Sequence, residues 1–151
     1  MKRQTFTSPN KWYQLEYSRM WEMEVVEGIP VFFDPISGMG GLQLFAISLA
    51  GEVSEKITKT FSFLRGKSLD QKMFFFLEAQ KVGIGLEDIK LYDLGDFQMV
   101  ASEYTIEDTF YMAVMKQKND NFILALYNCK GTPTKEEAGE IGKIVESIIF
   151  I

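Results

Sequence analysis

Histidine is missing altogether from the 151 residues, and cysteine occurs once. Without histidine, a Ser-His-Asp triad, a Cys-His dyad, a histidine metal site and a histidine pH switch are excluded within the chain. The single cysteine, Cys129, has no partner for an internal disulfide, which points to a cytoplasmic location. Long apolar runs are missing too. Stretches such as Met73 to Leu77 fall far short of the ~18 residues that span a bilayer, so no membrane association is expected. The opening residues Met1-Lys2-Arg3-Gln4 are basic but have no apolar stretch behind them, and do not read as a signal peptide. Positive charge is in short supply. The 16 Lys+Arg are outnumbered by 21 Asp+Glu, for a net charge of −5. That disfavours nucleic acid as a partner, because non-specific binding to it rests on phosphate contacts.

What is present is apolar and aromatic. Hydrophobic residues make up 46% of the chain and aromatics 14%, with 13 Phe, 8 Met and 6 Tyr. This excludes a disordered chain and is enough for a real core. No repeat, low-complexity tract or linker interrupts it, so residues 1–151 read as one domain. Charge is uneven. Lys56, Lys59, Arg65, Lys67, Lys72 and Lys81 make the middle basic, and the stretch from Glu87 to Asp120 is acidic. Solvated faces explain both, with an acidic rim for a partner as the functional alternative.

Periodicity supplies the elements. Tyr13, Leu15 and Tyr17 alternate with Trp12, Gln14, Glu16 and Ser18, as on a half-buried strand. Trp21 to Glu27 repeats the pattern, Gly28 punctuates, and Ile29 to Asp34 returns, with Pro30 suggesting an edge position. Leu42 to Leu49 is a further strand. The period then changes. Val53, Ile57, Phe61 and Leu64 mark an amphipathic helix ended by Gly66. Ser68 starts a second helix, with Gln71 placed as in a capping box. Leu69, Met73, Phe76, Leu77 and Gln80 line one side of it, Phe74 and Phe75 widen that side, and Gly83 and Gly85 close it. Short strands follow at Ile89 to Tyr92, Phe97 to Thr105 and Thr109 to Lys118. Asn119-Asp120-Asn121 turns the chain into Phe122 to Asn128. Pro133 opens the last helix, with Ala138, Ile141, Val145 and Ile148 on one face. Gly139 and Gly142 are expected to let it lie close on a sheet.

Phe122 to Leu126 and Tyr111 to Met115 are apolar on both faces, and such strands need cover on both sides. The expected architecture is α+β: a mostly antiparallel sheet sandwiched between helices. The two mid-chain helices lie on one face and the C-terminal helix on the other, in the order β-β-β-α-α-β-β-β-β-α.

That order resembles the PsbP-like and Mog-like domains, which include a photosystem II extrinsic protein, a Ran-binding release factor and bacterial families of unknown function. The residues that carry the resemblance are Trp12-Tyr13-Gln14-Leu15-Glu16-Tyr17, Trp21, Phe32-Phe33-Asp34-Pro35, Gly41-Leu42-Gln43-Leu44 and Ile144-Val145-Glu146-Ser147-Ile148. It spans nearly the whole chain. It implies a fold and a scaffolding or binding role. It implies no catalytic residue.

Local motifs add little chemistry. Gly66-Lys67-Ser68 looks like the end of a phosphate loop, but Phe61 stands where that loop needs a glycine. Gly38-Met39-Gly40-Gly41 opens a strand rather than a helix, so it is no dinucleotide fingerprint. It reads as a flexible connection or a loop lining a small site. Cys129 reads as packing. No metal or other cofactor is expected.

The candidate partner-binding residues are Trp12, on the polar side of its strand, Tyr92, Asp93 and Asp96 in the acidic stretch, and Phe74 and Phe75 as a second apolar surface. The expected function is a non-enzymatic domain that binds another protein or a second copy of itself. One alternative is a carrier of a small apolar ligand in a cavity between the sheet and the second helix. The other is an enzyme built on Asp34, Asp93 or Asp96, which requires a deep polar cleft joining at least two of them.

Overall fold

The computed structural model describes residues 2–9, 11–48 and 66–151. The strands in chain order are β1 (Arg3–Thr7), β2 (Tyr13–Ser18), β3 (Glu22–Val26), β4 (Ile29–Phe33) and β5 (Gly40–Ser48). Helix α1 (Leu69–Ala79) and a 3-10 turn (Leu86–Asp88) precede β6 (Tyr92–Asp93), β7 (Gln98–Ile106), β8 (Thr109–Lys118) and β9 (Asn121–Lys130). Helix α2 (Lys135–Ser147) and β10 (Ile149–Phe150) end the chain. The expected helix of Val53, Ile57, Phe61 and Leu64 lies outside the described residues.

Every strand pair is antiparallel. One sheet runs β3-β4-β5-β9-β8-β7-β6, and a smaller one runs β1-β2-β10. Alternation along the central strands explains why the large sheet is covered twice. Leu42, Leu44, Val114, Ile123, Ala125 and Tyr127 face one buried cluster. Ile47, Ala113, Met115, Phe122 and Leu124 face the other. The first cluster is closed by α2 and the small sheet, through Ile141, Ile144, Tyr13, Leu15 and Tyr17. The second is closed by α1, through Leu69, Met73, Phe76 and Leu77. The sandwich therefore forms as expected for α1 and α2. The small sheet beside α2 was not anticipated, and five strands precede α1 where the expected order has three and the periodicity marks four, β1 being unmarked.

Local chemistry explains the element ends. Ser68 caps α1, and its N–H donates to Gln71 Oε1 at 3.0 Å. The helix stops before Gly83 and Gly85. Lys81, with φ of 63°, takes the left-handed position, and the Val82 and Lys81 N–H groups donate to Leu77 and Glu78 carbonyls. The expected strand at Ile89 to Tyr92 is replaced by the 3-10 turn and the two residues of β6. Glu27 and Gly28, with φ of 53° and 82°, make the tight two-residue turn between β3 and β4.

Three sequence expectations need correction. Pro30 is on β4, between β3 and β5, not on an edge strand. The β4–β5 ladder stops at Val31, so the missing proline N–H falls where no partner is needed. Gly139 and Gly142 do not allow a close approach, since a Cβ at either would meet nothing within 4 Å. On α2, Ile141, Val145 and Ile148 are buried as expected, but Ala138 is not. Glu137, Glu140 and Ile144 are buried with them.

Candidate functional site

Two carboxylates on the inner face of α2 are structural. Glu137 accepts hydrogen bonds from the Met39 and Gly40 N–H groups, at 2.9 and 3.0 Å, and from the Tyr127 hydroxyl. Burial raises the Tyr127 phenol well above its ordinary range, and the Glu137 carboxylate adds to the shift. Two amides of the Gly38-Met39-Gly40-Gly41 loop are thus taken by a side chain of the same chain, and the Gly38 N–H donates to the Asp34 carbonyl. Gly40 is required there, because a Cβ would stand 1.9 Å from the Asn128 carbonyl oxygen. Glu140 accepts from the Arg3 guanidinium at 2.8 Å and the Ser18 N–H at 2.7 Å, tying α2 to β1 and β2. Lys116 is buried on β8, and its Nζ donates to the Val145 carbonyl at 2.6 Å, at the end of α2. Sequence reading missed all three. The available signal was charge at positions whose period places them inside.

The candidate residues fall at three places. Trp12 precedes β2, after Lys11 with φ of 56°, so the strand's alternation does not govern it. It is half-buried rather than set on a polar face with Gln14 and Glu16. Its ring stacks on Phe150, with centroids 6.1 Å apart. It also lines an apolar hollow of about 180 Å³ with Phe6, Val25, Pro30, Leu44 and Ala46. This hollow lies on the α2 side of the sheet, not between the sheet and α1. Phe74 and Phe75 are half-buried on α1 and meet edge to face at 5.4 Å, with Lys67 Nζ 4.9 Å from the Phe75 ring centre.

Tyr92, Asp93 and Asp96 lie together, at the β6 end of the large sheet. Asp93 accepts from the Gly95 N–H at 3.0 Å, which shapes the turn into β7. Asp96 pairs with Lys118 at 3.1 Å, both exposed. The two carboxylates share an open groove of about 560 Å³ with Phe97, Gln98, Gln117 and Asn119. Tyr92 is 40% exposed, with Lys90 Nζ 5.2 Å from its ring centre. Leu86, Leu91 and Leu94 of the same segment are 38%, 38% and 53% exposed. Glu87, Asp88, Asp93 and Asp96 are interleaved with them.

Asp34 is remote from this groove in the fold. It lines a second open groove with Glu136 and Lys143. The Ile36 N–H and the Ser37 side chain hydrogen-bond its carboxyl and hold it below the ordinary carboxylate value. The three aspartates are therefore not brought together. Among the described residues no cluster of three metal-ligating side chains occurs, and no helix is long and apolar enough to cross a membrane.

No family model matches the chain, and a search of curated proteins finds no match. Solved structures do match. One is the solution structure of a cyanobacterial PsbP (CyanoP) from Synechocystis sp. PCC 6803. It has a TM-score of 0.60 and 12% identity, covering 99% of this chain and 92% of that one. Another is a crystal structure of a protein from Bacteroides thetaiotaomicron VPI-5482. It has a TM-score of 0.57 and 14% identity, and this chain, covered completely, spans 49% of that one. At these identities the likeness is one of fold, and the fold is α+β and PsbP-like.

Proposed function

We propose that this chain is a non-enzymatic protein-binding domain of the PsbP-like and Mog-like group, working in the cytoplasm. The observation that carries the reading is the 86–96 segment. It exposes Leu86, Leu91, Tyr92 and Leu94 among acidic residues, beside an open groove. Exposed apolar side chains rimmed by polar residues are one mark of a protein contact surface. The carboxylates of that groove are engaged, Asp96 by Lys118 and Asp93 by the Gly95 amide, which favours a binding rim over acid–base work. The apolar hollow is smaller than the ~300–1,000 Å³ of ordinary ligand pockets, which counts against a small-molecule carrier.

The test compares the wild type with a Tyr92→Ala/Leu94→Ser variant. Affinity capture from native extract and sedimentation velocity are run on both. The wild type is expected to retain a protein partner, and the variant to lose it with its melting curve unchanged. A strict monomer that retains nothing, or a variant that retains the same partner equally, removes the reading.

A further inference from the structure

The two ends of the large sheet differ in how the chain leaves them. β3 is the terminal strand at one end, and nothing among the described residues pairs with its outer side. The hairpin geometry fixes which of its backbone groups face outward. In a two-residue hairpin the residues flanking the turn, Val26 and Ile29, exchange hydrogen bonds, and the next pair does not. Val25 and Met23 occupy the non-bonded positions, opposite Pro30 and Phe32. Their N–H and C=O groups therefore point to the open side. The proline opposite Val25 agrees with this, since that position asks for no N–H from β4.

Three further features surround this edge. The side chains of Met23 and Val25 lie on the α2 side of the sheet, with Met23 against the buried cluster and Val25 60% exposed. Val25 and Pro30 form part of the wall of the hollow of about 180 Å³, with Trp12, Phe6 and Leu44 behind them. The hollow exists because β4 stops pairing with β5 at Val31, so Pro30 and Leu44 are not held together. On the opposite face, Glu22 and Glu24 are exposed, and Glu27 is exposed at the turn. These three carboxylates have no ion-pair partner among the described residues.

We propose that β3 receives an extended, basic segment of a partner protein as an added strand, with one apolar side chain of that segment seated in the hollow beside Val25 and Pro30. Main-chain hydrogen bonds to Met23 and Val25 supply affinity, and side chains at alternate positions supply selection. Cross-strand neighbours share a face, so the partner residue opposite Val25 points at the hollow, whose volume fits one large aliphatic or aromatic side chain. The partner residues opposite Glu22 and Glu24 face those carboxylates, and Lys or Arg there is complementary. The same charges oppose a second copy of this chain. An antiparallel β3–β3 pairing centred on the strand would set Glu24 against Glu24. The proposal goes beyond the 86–96 surface and uses none of its residues, so either can fail alone.

The probe is a synthetic heptapeptide alternating Lys or Arg with Val or Leu. Its control carries Glu at every basic position. Titration into isotopically labelled protein is expected to shift the amide resonances of 22–28 and to slow hydrogen exchange at Met23 and Val25. The acidic control is expected to bind at least about tenfold more weakly. Two variants follow. Val25→Pro removes an outward N–H and should abolish binding. Glu22→Lys/Glu24→Lys changes only exposed side chains, keeps the fold, and should reverse the preference toward the acidic peptide. Equal binding of both peptides overturns the proposal, as do shifts confined to other surfaces, no shifts, or an unreversed preference in the lysine variant. A concentration-dependent dimer that protects Met23 and Val25 without peptide also overturns it, in favour of a second copy as the occupant.

Discussion

Lys116 carries a charge into the interior from the middle of an apolar strand. Its Nζ donates to the Val145 and Ile148 carbonyls at the end of α2, where the Val145 carbonyl also accepts the Ile148 N–H. It also lies 5.0 Å from the Phe97 ring centre. Burial pushes the ammonium down to about 8, and the Glu146 carboxylate works in the other direction. Below pH 8 the folded and unfolded chains are both protonated there, so Lys116 adds no pH dependence. Between about 8 and the unfolded value of 10.5 only the unfolded chain holds the proton, so stability rises with pH. Above pH 10 the buried phenols of Tyr13 and Tyr104, both pushed up to about 12, act in the opposite sense. Denaturant unfolding at pH 7 and pH 9.5 should show the wild type gaining about 2 kcal/mol relative to Lys116→Met. A difference between the two proteins that does not move with pH would refute this.

Helix α2 shows where sequence reading succeeds and where it stops. Its start was legible to within two residues in Pro133, the helix beginning at Lys135 with Thr134 as its cap. The Thr134 hydroxyl accepts from the Glu137 N–H at 3.2 Å, but the Glu137 carboxylate reaches across to β5 rather than back to the cap. Its apolar period placed one face inward. Ile141, Val145 and Ile148 are buried as that period places them, Ala138 is exposed, and the hydrogen-bonded Glu137 and Glu140 lie inside with them. Gly139 and Gly142 were given a packing role that the structure does not support. With open space at both, Gly142→Ala should raise stability by about 0.5–1 kcal/mol through helix propensity alone, read as a higher denaturant midpoint with unchanged slope. Strands β8 and β9 were legible because both of their faces are apolar and Asn119, with φ of 54°, turns the chain between them. β1 and β10 were not. β1 has polar Arg3, Gln4 and Thr5 in a short run, and β10 spans two residues that pair with β2 only once α2 has brought them there. At the candidate site, the acidic stretch and Tyr92 were readable as exposed. The hollow beside Val25 was not, since it follows from where one ladder stops.

At the scale of the molecule, β8 and β9 are the shared wall of two cores. Leu15, fully buried, belongs to the α2 side, and Leu77, equally buried, to the α1 side. Leu15→Ala and Leu77→Ala should each cost about 2–5 kcal/mol. Each should lower one common unfolding transition, followed by near- and far-ultraviolet circular dichroism together. Two separate transitions would mean that the wall does not couple the layers.

The pairing of β5 with β9 joins residues 40–48 to residues 121–130, and β2 waits in the same way for Ile149 and Phe150. On a ribosome adding ~5–20 residues per second, the apolar side chains of β5 stay without their partner strand for on the order of ten seconds. The sheet closes only after Lys130 has left the exit tunnel. Until then Leu42, Leu44 and Ile47 are surface on a growing chain, and a chaperone that holds nascent apolar strands would find its substrate there.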